Sequence, residues 1–219
     1  MLIRADFSQA ALVRAHEHCW TRSPQAGVER VMLDRVGGEQ ARATSLVRYA
    51  PGSQFPAHAH PGGEEILVLS GTFSADGEDH PAGCYLRNPP GSAHRPSSCE
   101  GALIFVKLGQ MGADERSALR VDTRDPRNWR EAGEGSICPL FDSAGEQVRL
   151  ERLPPGLLLA LDASGGAELL VLEGALSMPG QRLEPGSWLR LPAPGSELRG
   201  GDAGTLLYLK TGHLGDARR

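Results

Sequence analysis

The hydrophobic positions of this chain fall into short runs that are separated by clusters of Gly, Pro, Asp and Ser. Typical runs are EEILVLSG, CYLRNP and ALIFVKL, which are rich in Val, Ile, Leu and aromatic residues. Runs of this length with turn residues between them are typical of β-strands and not of helices. Because many short strands at such a spacing form sandwiches or barrels, the predicted fold class is all-β.

The strand pattern occurs twice. The segments EEILVLSGTFSADG and AELLVLEGALSMPG share a Gly at the strand end and a hairpin loop, and each continues to a second Gly, an aromatic residue and a Leu-Arg pair. Gly71 and Gly174 are separated by 103 positions, and so are Gly83 and Gly186. A constant offset of this kind indicates two copies of one structural unit.

The boundary between the copies is predicted from composition. The segment from Met111 to Arg127 is polar and contains Gly and Pro, as expected of a joint between domains. We therefore predict one domain over residues 1–115 and a second over residues 116–219.

Composition narrows the classes of partner. The 219 residues are 40 % hydrophobic, which is enough for a core, and carry a formal net charge of −4 without a run of Lys or Arg. Such a chain offers no electrostatic footprint for nucleic acid or an anionic membrane, so a small molecule is the expected partner. No apolar stretch reaches the ~18 residues of a membrane span and no secretory signal is visible, so we expect a cytoplasmic protein with reduced thiols.

The stretch PGSQFPAHAHPGGEEILVLSG carries the candidate chemistry. In a strand, His58 and His60 project to the same face, and the following Pro-Gly-Gly turn lets Glu64 return its carboxylate to that face. A later hairpin, GCYLRNPPGSAHRPS, delivers His94 to the same interior. Three neutral imidazoles and one carboxylate suit one divalent first-row metal ion and leave coordination sites for water, substrate or dioxygen.

Neighbouring residues are expected to shape the pocket. If the turn is one residue longer, Glu64 and Glu65 exchange roles as the ligand. Phe73, Tyr85 and Arg87 are candidates for the pocket wall, where Arg87 either meets an anionic substrate or forms an ion pair on the barrel wall. No residue is assigned to an organic cofactor or to a catalytic role.

Other histidines lack this context. His16 and His18 also form an HxH pair, but no glycine turn, following glutamate or matching second motif accompanies them. We therefore predict a structural role for both. His80 lies in the polar loop DGEDHPAG and is expected in solvent.

These residues carry a family resemblance. The segment from Gly52 to Gly71 resembles the first cupin motif, G(X)5HXH(X)3-4E(X)6G, and the segment from Gly83 to His94 resembles the second, G(X)5PXG(X)2H. The stretches GGEEILVLSG, YLRNPPGSAH and IFVKL are similar to ChrR-type cupins, the group that includes the metal-binding domain of ChrR anti-sigma factors and relatives of acetylacetone-cleaving dioxygenases. The resemblance implies a bicupin of two jelly-roll β-barrels. It also implies one zinc, iron, manganese or nickel ion per chain, held by His58, His60, Glu64 and His94.

The second copy departs from the cupin pattern. Asp162 falls at the place of the first motif histidine, Ala167 or Glu168 lies in the glutamate region, and Leu198 replaces the final histidine. We therefore predict that this copy holds no metal and packs against the first.

Three functions fit such a chain. The first is a metal-dependent oxygenase-type or C–C bond-cleaving enzyme that acts on a small chelating substrate. The second is a regulatory or sensory cupin related to the ChrR anti-sigma factors, although a sigma-factor partner is not expected because the segment before the cupin lacks an HxxxCxxC arrangement. The third is a binding module for a small metabolite, and a homodimer is compatible with all three.

Overall fold

The computed structural model describes residues 1–38, 40–161, 164–193 and 195–215. In these residues the chain forms β-strands and two short 3-10 helices, with no α-helix, which confirms the all-β prediction. Within the same ranges, no helix has the length and apolar character needed to cross a bilayer.

The elements have the following bounds. The 3-10 helices span Ala15–Glu17 and Pro126–Asn128. The strands are, in chain order, β1 Leu2–Ile3, β2 Ala11–Val13, β3 Thr21–Arg22, β4 Val28–Val36, β5 Arg42–Tyr49, β6 Ser53–Gln54, β7 His58–His60, β8 Glu64–Ala75, β9 Glu78–Pro81, β10 Cys84–Asn88, β11 Ser92–His94, β12 Pro96–Ser98, β13 Ala102–Leu108, β14 Leu119–Asp122, β15 Arg130–Ala132, β16 Gly135–Ser143, β17 Glu146–Leu153, β18 Ala167–Met178, β19 Gln181–Leu183, β20 Trp188–Leu191 and β21 Arg199–Thr211.

The chain divides into two compact units. Unit 1 consists of Met1–Ala5 and Cys19–Arg124, and unit 2 consists of Asp6–His18 and the described residues from Asp125 onward. Strand β2 therefore belongs to unit 2, whereas β14, which follows the predicted joint near residue 115, belongs to unit 1. The boundary between residues 115 and 116 stays a prediction about the sequence copies.

The two units share one strand order. In unit 1 the main sheet runs β1-β4-β5-β13-β8-β10-β14, and in unit 2 it runs β15-β16-β17-β21-β18-β20-β2. Along these paths each strand of one sheet has a counterpart at the same place in the other, and β9 and β19 likewise pair with the long strands β8 and β18. The repeat seen in the sequence is thus a repeat of architecture, as expected for tandem jelly-roll barrels.

The paired glycines of the repeat mark equivalent bends in the long strands. Gly71 and Gly174 both have φ +69°, a left-handed conformation that favours glycine. A Cβ at Gly71 would meet the carbonyl oxygen of Gly101, and one at Gly174 would meet that of Gly204. Both positions therefore require glycine for two reasons: the backbone is left-handed, and a side chain would collide with the adjacent backbone.

The core of unit 1 is formed by side chains on the inward faces of β8, β10 and β13. Ile66 and Val68 from β8 pack with Leu86 from β10 and Ile104 and Val106 from β13. Because side chains alternate along a strand, Glu64 shares the inward face of β8 with Ile66 and Val68, and Glu65 lies on the opposite face.

Candidate metal centre

Two short strands bring three histidines together. Strands β7 and β11 pair antiparallel with His58 opposite His94, and His60 follows two residues after His58 on the same face. The turn after β7 is closed by the Gly63 N–H, which donates to the His60 carbonyl at 3.0 Å. Gly63 has φ +77°, and the chain then enters β8 with Glu64.

The side chains converge on one point. One ring nitrogen from each of His58, His60 and His94 lies within 4.8 Å of the others. The Nε2 atoms of His60 and His94 are 3.0 Å apart, and Glu64 Oε2 lies 3.5 Å from His60 Nε2 and 3.4 Å from His94 Nε2. The structure thus assembles all four residues that the sequence proposed as ligands.

These separations fit a shared cation. Two donor atoms at about 2.1 Å from one ion are about 3.0 Å apart at a right angle and about 3.4 Å apart at a tetrahedral angle. The distances among His60, His94 and Glu64 are 3.0, 3.4 and 3.5 Å, close to that range. His58 Nδ1 lies 3.0 Å from the Pro56 carbonyl, which accepts its proton and leaves Nε2 as the lone-pair donor.

The electrostatics of the site also favour a cation. Burial, followed by the neighbouring imidazoles, lowers the pKa of His60 to about 3 and that of His94 to about 4. Burial raises the pKa of Glu64 to about 7, opposed by the hydrogen bond from Asn88. Both imidazoles are therefore neutral at pH 7, the form that binds metals. A divalent cation would favour the ionised carboxylate of Glu64.

Sequence reasoning missed a polar pair beside the carboxylate. Asn88 lies opposite Glu64 in the β8–β10 ladder, and its Nδ2 donates to Glu64 Oε2 at 3.1 Å. Arg120 on β14 in turn donates from Nη2 to Asn88 Oδ1 at 2.7 Å. Hydrogen bonds of this kind orient a ligating carboxylate. The alternation of β10 was the available signal for Asn88, because it places Asn88 on the face opposite Arg87.

The structure does not bring Tyr85 and Arg87 into this pocket. Both lie on the other face of β10, where Arg87 Nη1 donates to Glu65 Oε2 at 3.1 Å and Arg87 Nη2 donates to Glu115 Oε2 at 2.9 Å. The ion-pair alternative for Arg87 is the observed one. Phe73 does lie beside the histidines, with its ring centroid 6.1 Å from that of His94.

A cavity of about 410 Å³ adjoins the centre. His94, Asn88 and His80 line it, together with Arg116 and Arg120 from the segment that includes β14. The expectation that His80 is solvated was wrong, because His80 is only 8 % exposed. His80 lies opposite Phe73 in the β8–β9 ladder, and the two rings are stacked with their centroids 6.3 Å apart.

Unit 2 has apolar residues at the matching places. Ala167 lies opposite Leu191 in the β18–β20 ladder, as Glu64 lies opposite Asn88 in unit 1. Ala167, Leu191 and Leu198 belong to one hydrophobic cluster. Glu168 corresponds instead to Glu65, and Asp162 lies outside the described residues.

Comparison with known proteins supports this architecture. Residues 8–112 match the family described as the ChrR cupin-like domain. No curated protein matches the sequence.

Solved structures resemble the chain over most of its length. A putative dioxygenase from Nostoc punctiforme has 15 % identity and a TM-score of 0.74, and the match covers 95 % of this chain and 84 % of that one. The bacterial pirin YhhW from Escherichia coli in complex with nickel(II) has 14 % identity and a TM-score of 0.66, with coverage of 92 % and 98 %. The oxalate decarboxylase of Bacillus subtilis, studied for its Mn(II) centres, has 12 % identity and a TM-score of 0.63, with coverage of 92 % and 77 %. At such identities the similarity shows the fold alone.

Proposed function

Residues 8–112 match the family described as the ChrR cupin-like domain, and on that premise we propose that the first of the two cupin barrels is a metal-dependent enzyme. The reaction class is oxygenase-type or C–C bond-cleaving, and the substrate is a small molecule that chelates the metal. The proposed ligands of one divalent ion are His58, His60, Glu64 and His94.

The observation that carries the proposal is the convergence of the four donors beside a cavity that His94 lines. Of the four donors, His94 is a wall residue of the cavity. Six-coordinate ions such as iron and manganese would keep positions for a substrate there. The cavity volume of about 410 Å³ suits a molecule of metabolite size.

The protein side chains have separate tasks in this scheme. A bound divalent ion supplies a Lewis-acid centre that polarises an oxygen of a chelating substrate. Asn88 fixes the orientation of the Glu64 carboxylate through its 3.1 Å hydrogen bond. His80, whose pKa is lowered mainly by burial, presents a neutral imidazole at the cavity wall that can accept a proton from the substrate.

Relatives in fold are consistent with this assignment. One is described as a putative dioxygenase, another was solved with nickel(II), and a third is an oxalate decarboxylase with Mn(II) centres. Nickel and manganese are the metals named for these relatives, and zinc and iron remain candidates from the sequence resemblance.

The test begins with elemental analysis of protein purified without added metal or chelator. Wild type and His16→Ala, which alters the other HxH pair, should contain close to one metal ion per chain. His58→Ala and His94→Ala should lose it while keeping the β-sheet circular dichroism signal. Full metal content in His94→Ala would refute the ligand set.

Oxygen uptake and product analysis with chelating dicarbonyl compounds then test the activity. Turnover that depends on the bound metal supports the enzyme. Stoichiometric metal without conversion of any such compound would reject it in favour of a metabolite-binding module or a sensory cupin. A metabolite that raises the melting temperature without turnover would identify the binding module.

A further inference from the structure

We propose that Arg120 is an anion-binding residue of the cavity, so that the ligand of the metal centre carries a carboxylate or a similar anionic group beside its chelating oxygen. This inference rests on the proposed function of the first barrel and specifies the class of its substrate.

The position of Arg120 is set by the edge strand of unit 1. Strand β14 pairs with β10, with Arg120 opposite Leu86 and Leu119 opposite Arg87. The strand is held at its end by Thr123, whose backbone N–H donates to the Gly83 carbonyl at 3.0 Å. Leu86 belongs to the inward face of β10, so Arg120 extends over the same side of the sheet as the metal centre.

The guanidinium is anchored but retains donors. Nη1 donates to the carbonyls of Leu119 at 2.8 Å and Arg87 at 3.3 Å, and Nη2 donates to Asn88 Oδ1 at 2.7 Å. An arginine side chain has five N–H groups. Within the part of the chain that the structure describes, Nε–H and the second Nη2–H have no protein acceptor, and because Arg120 is exposed they are open to solvent or to a ligand. Donors fixed in this way suit a carboxylate, which accepts two parallel hydrogen bonds from arginine.

Arg120 is connected to the candidate ligands through Asn88. Its Nη2 donates to Asn88 Oδ1 at 2.7 Å, and Asn88 Nδ2 donates to Glu64 Oε2 at 3.1 Å. A substrate that chelates an ion held at these residues would therefore place an adjoining anionic group within range of the guanidinium.

The second barrel provides an internal comparison. Strand β2 occupies in unit 2 the place that β14 occupies in unit 1, and it puts Leu12 opposite Leu189 where β14 puts Arg120 opposite Leu86. Leu12 packs against the hydrophobic cluster of unit 2. The arginine is thus present in the barrel that has the candidate ligands, and a leucine replaces it in the barrel that has Ala167 at the position of Glu64.

In this proposal, binding of the anionic ligand depends on Arg120 and not on a general positive potential of the cavity. Asp76 and Glu78 line the same cavity at the β8–β9 hairpin, together with the exposed Arg116. Arg116 and Arg120 are both exposed, so solvent and salt weaken the field of either charge, and Arg120 differs from Arg116 by its hydrogen bond to Asn88. Arg120 is the cation that is hydrogen-bonded to the polar wall of the metal centre.

The experiment uses the full chain loaded with Co²⁺, whose visible absorption reports ligands that enter its coordination sphere. Oxalate serves as a small anionic chelator, and imidazole in its neutral form serves as an uncharged ligand. Arg120→Gln removes the charge but keeps an N–H for Asn88, Arg120→Lys keeps the charge, and Arg124→Ala alters an exposed arginine on the same segment. Since hydrogen bonds to charged groups contribute about 1.5–3 kcal/mol, Arg120→Gln should raise the Kd of oxalate about 10- to 100-fold.

The expected pattern separates the inference from the proposed function. Arg120→Gln should leave Co²⁺ stoichiometry and imidazole binding unchanged, Arg120→Lys should retain part of the oxalate affinity, and Arg124→Ala should match wild type. Wild-type oxalate affinity in Arg120→Gln overturns the inference. Equal weakening of oxalate and imidazole also overturns it, because Arg120 would then act on the ion through Asn88 and Glu64. Failure of wild type to bind Co²⁺ would instead remove the proposed metal centre itself.

Discussion

Replacing Asn88 by Leu tests whether the polar wall of the first barrel contributes to metal affinity in addition to the four proposed ligands. Leucine is similar in size and occurs at the same register position in unit 2, as Leu191. The change removes the 3.1 Å hydrogen bond to Glu64 and the 2.7 Å contact with Arg120. A buried hydrogen bond to a charged group contributes about 1.5–3 kcal/mol, so we expect metal affinity to fall about 10- to 100-fold.

The assay is competition for Zn²⁺ with a chromophoric chelator of known affinity. Tyr85→Phe is the matched control, because Tyr85 lies on the opposite face of the same strand and should leave the affinity unchanged. The melting temperature of the metal-free variant separates loss of affinity from loss of fold. If Asn88→Leu binds Zn²⁺ as tightly as wild type, Asn88 does not support the Glu64 carboxylate and the reasoning fails.

Two further effects can be measured by thermal or chemical denaturation. Gly71→Ala should destabilise the protein more than Gly77→Ala. Both glycines have positive φ, and the backbone strain of an alanine there costs about 1–2 kcal/mol, but only at Gly71 would the new Cβ also meet a carbonyl oxygen. An equal loss of stability in the two variants would contradict this close approach. Adding Zn²⁺ at a hundred times its Kd should stabilise wild type by about 2.7 kcal/mol, and persistence of this gain in His94→Ala would argue against the site.

The sequence was sufficient for the features that depend on local pattern. Strand alternation predicts that His58 and His60 share a face, and the Pro-Gly-Gly turn predicts the return of Glu64. The choice between Glu64 and Glu65 also followed from alternation, since Ile66 and Val68 had to face the core. These inferences need only the residues of one hairpin.

The remaining features depend on which strands are neighbours. The roles of Arg87 and Asn88 follow from the register of β10 against β8, and a shift of one residue would exchange their faces. That register is set by packing across the sheet. Arg120 lies beyond the predicted joint near residue 115, and only the pairing of β14 with β10 places it at the cavity. His80 was misjudged because a polar loop sequence does not reveal the stacking on Phe73.

The domain boundary leads to a final prediction. A chain that ends at Arg124 keeps β14, whereas a chain that ends at Glu115 exposes the backbone N–H and C=O groups of β10 at a sheet edge, which favours aggregation. We expect the longer chain to remain more soluble in light scattering and to bind metal more tightly. Val121→Pro in the longer chain controls for length, because Val121 pairs with Tyr85 and proline cannot donate a ladder hydrogen bond.

The Val121→Pro variant should behave like the shorter chain, since both lack the paired edge. Both truncated chains lack the rest of unit 2, so a difference between them reports on residues 116–124 alone. Identical solubility and affinity would mean that β14 contributes nothing to the first barrel. In that case the boundary from sequence composition would describe the folding unit better than the contacts of the structure do, and the role of Arg120 would lose its structural basis.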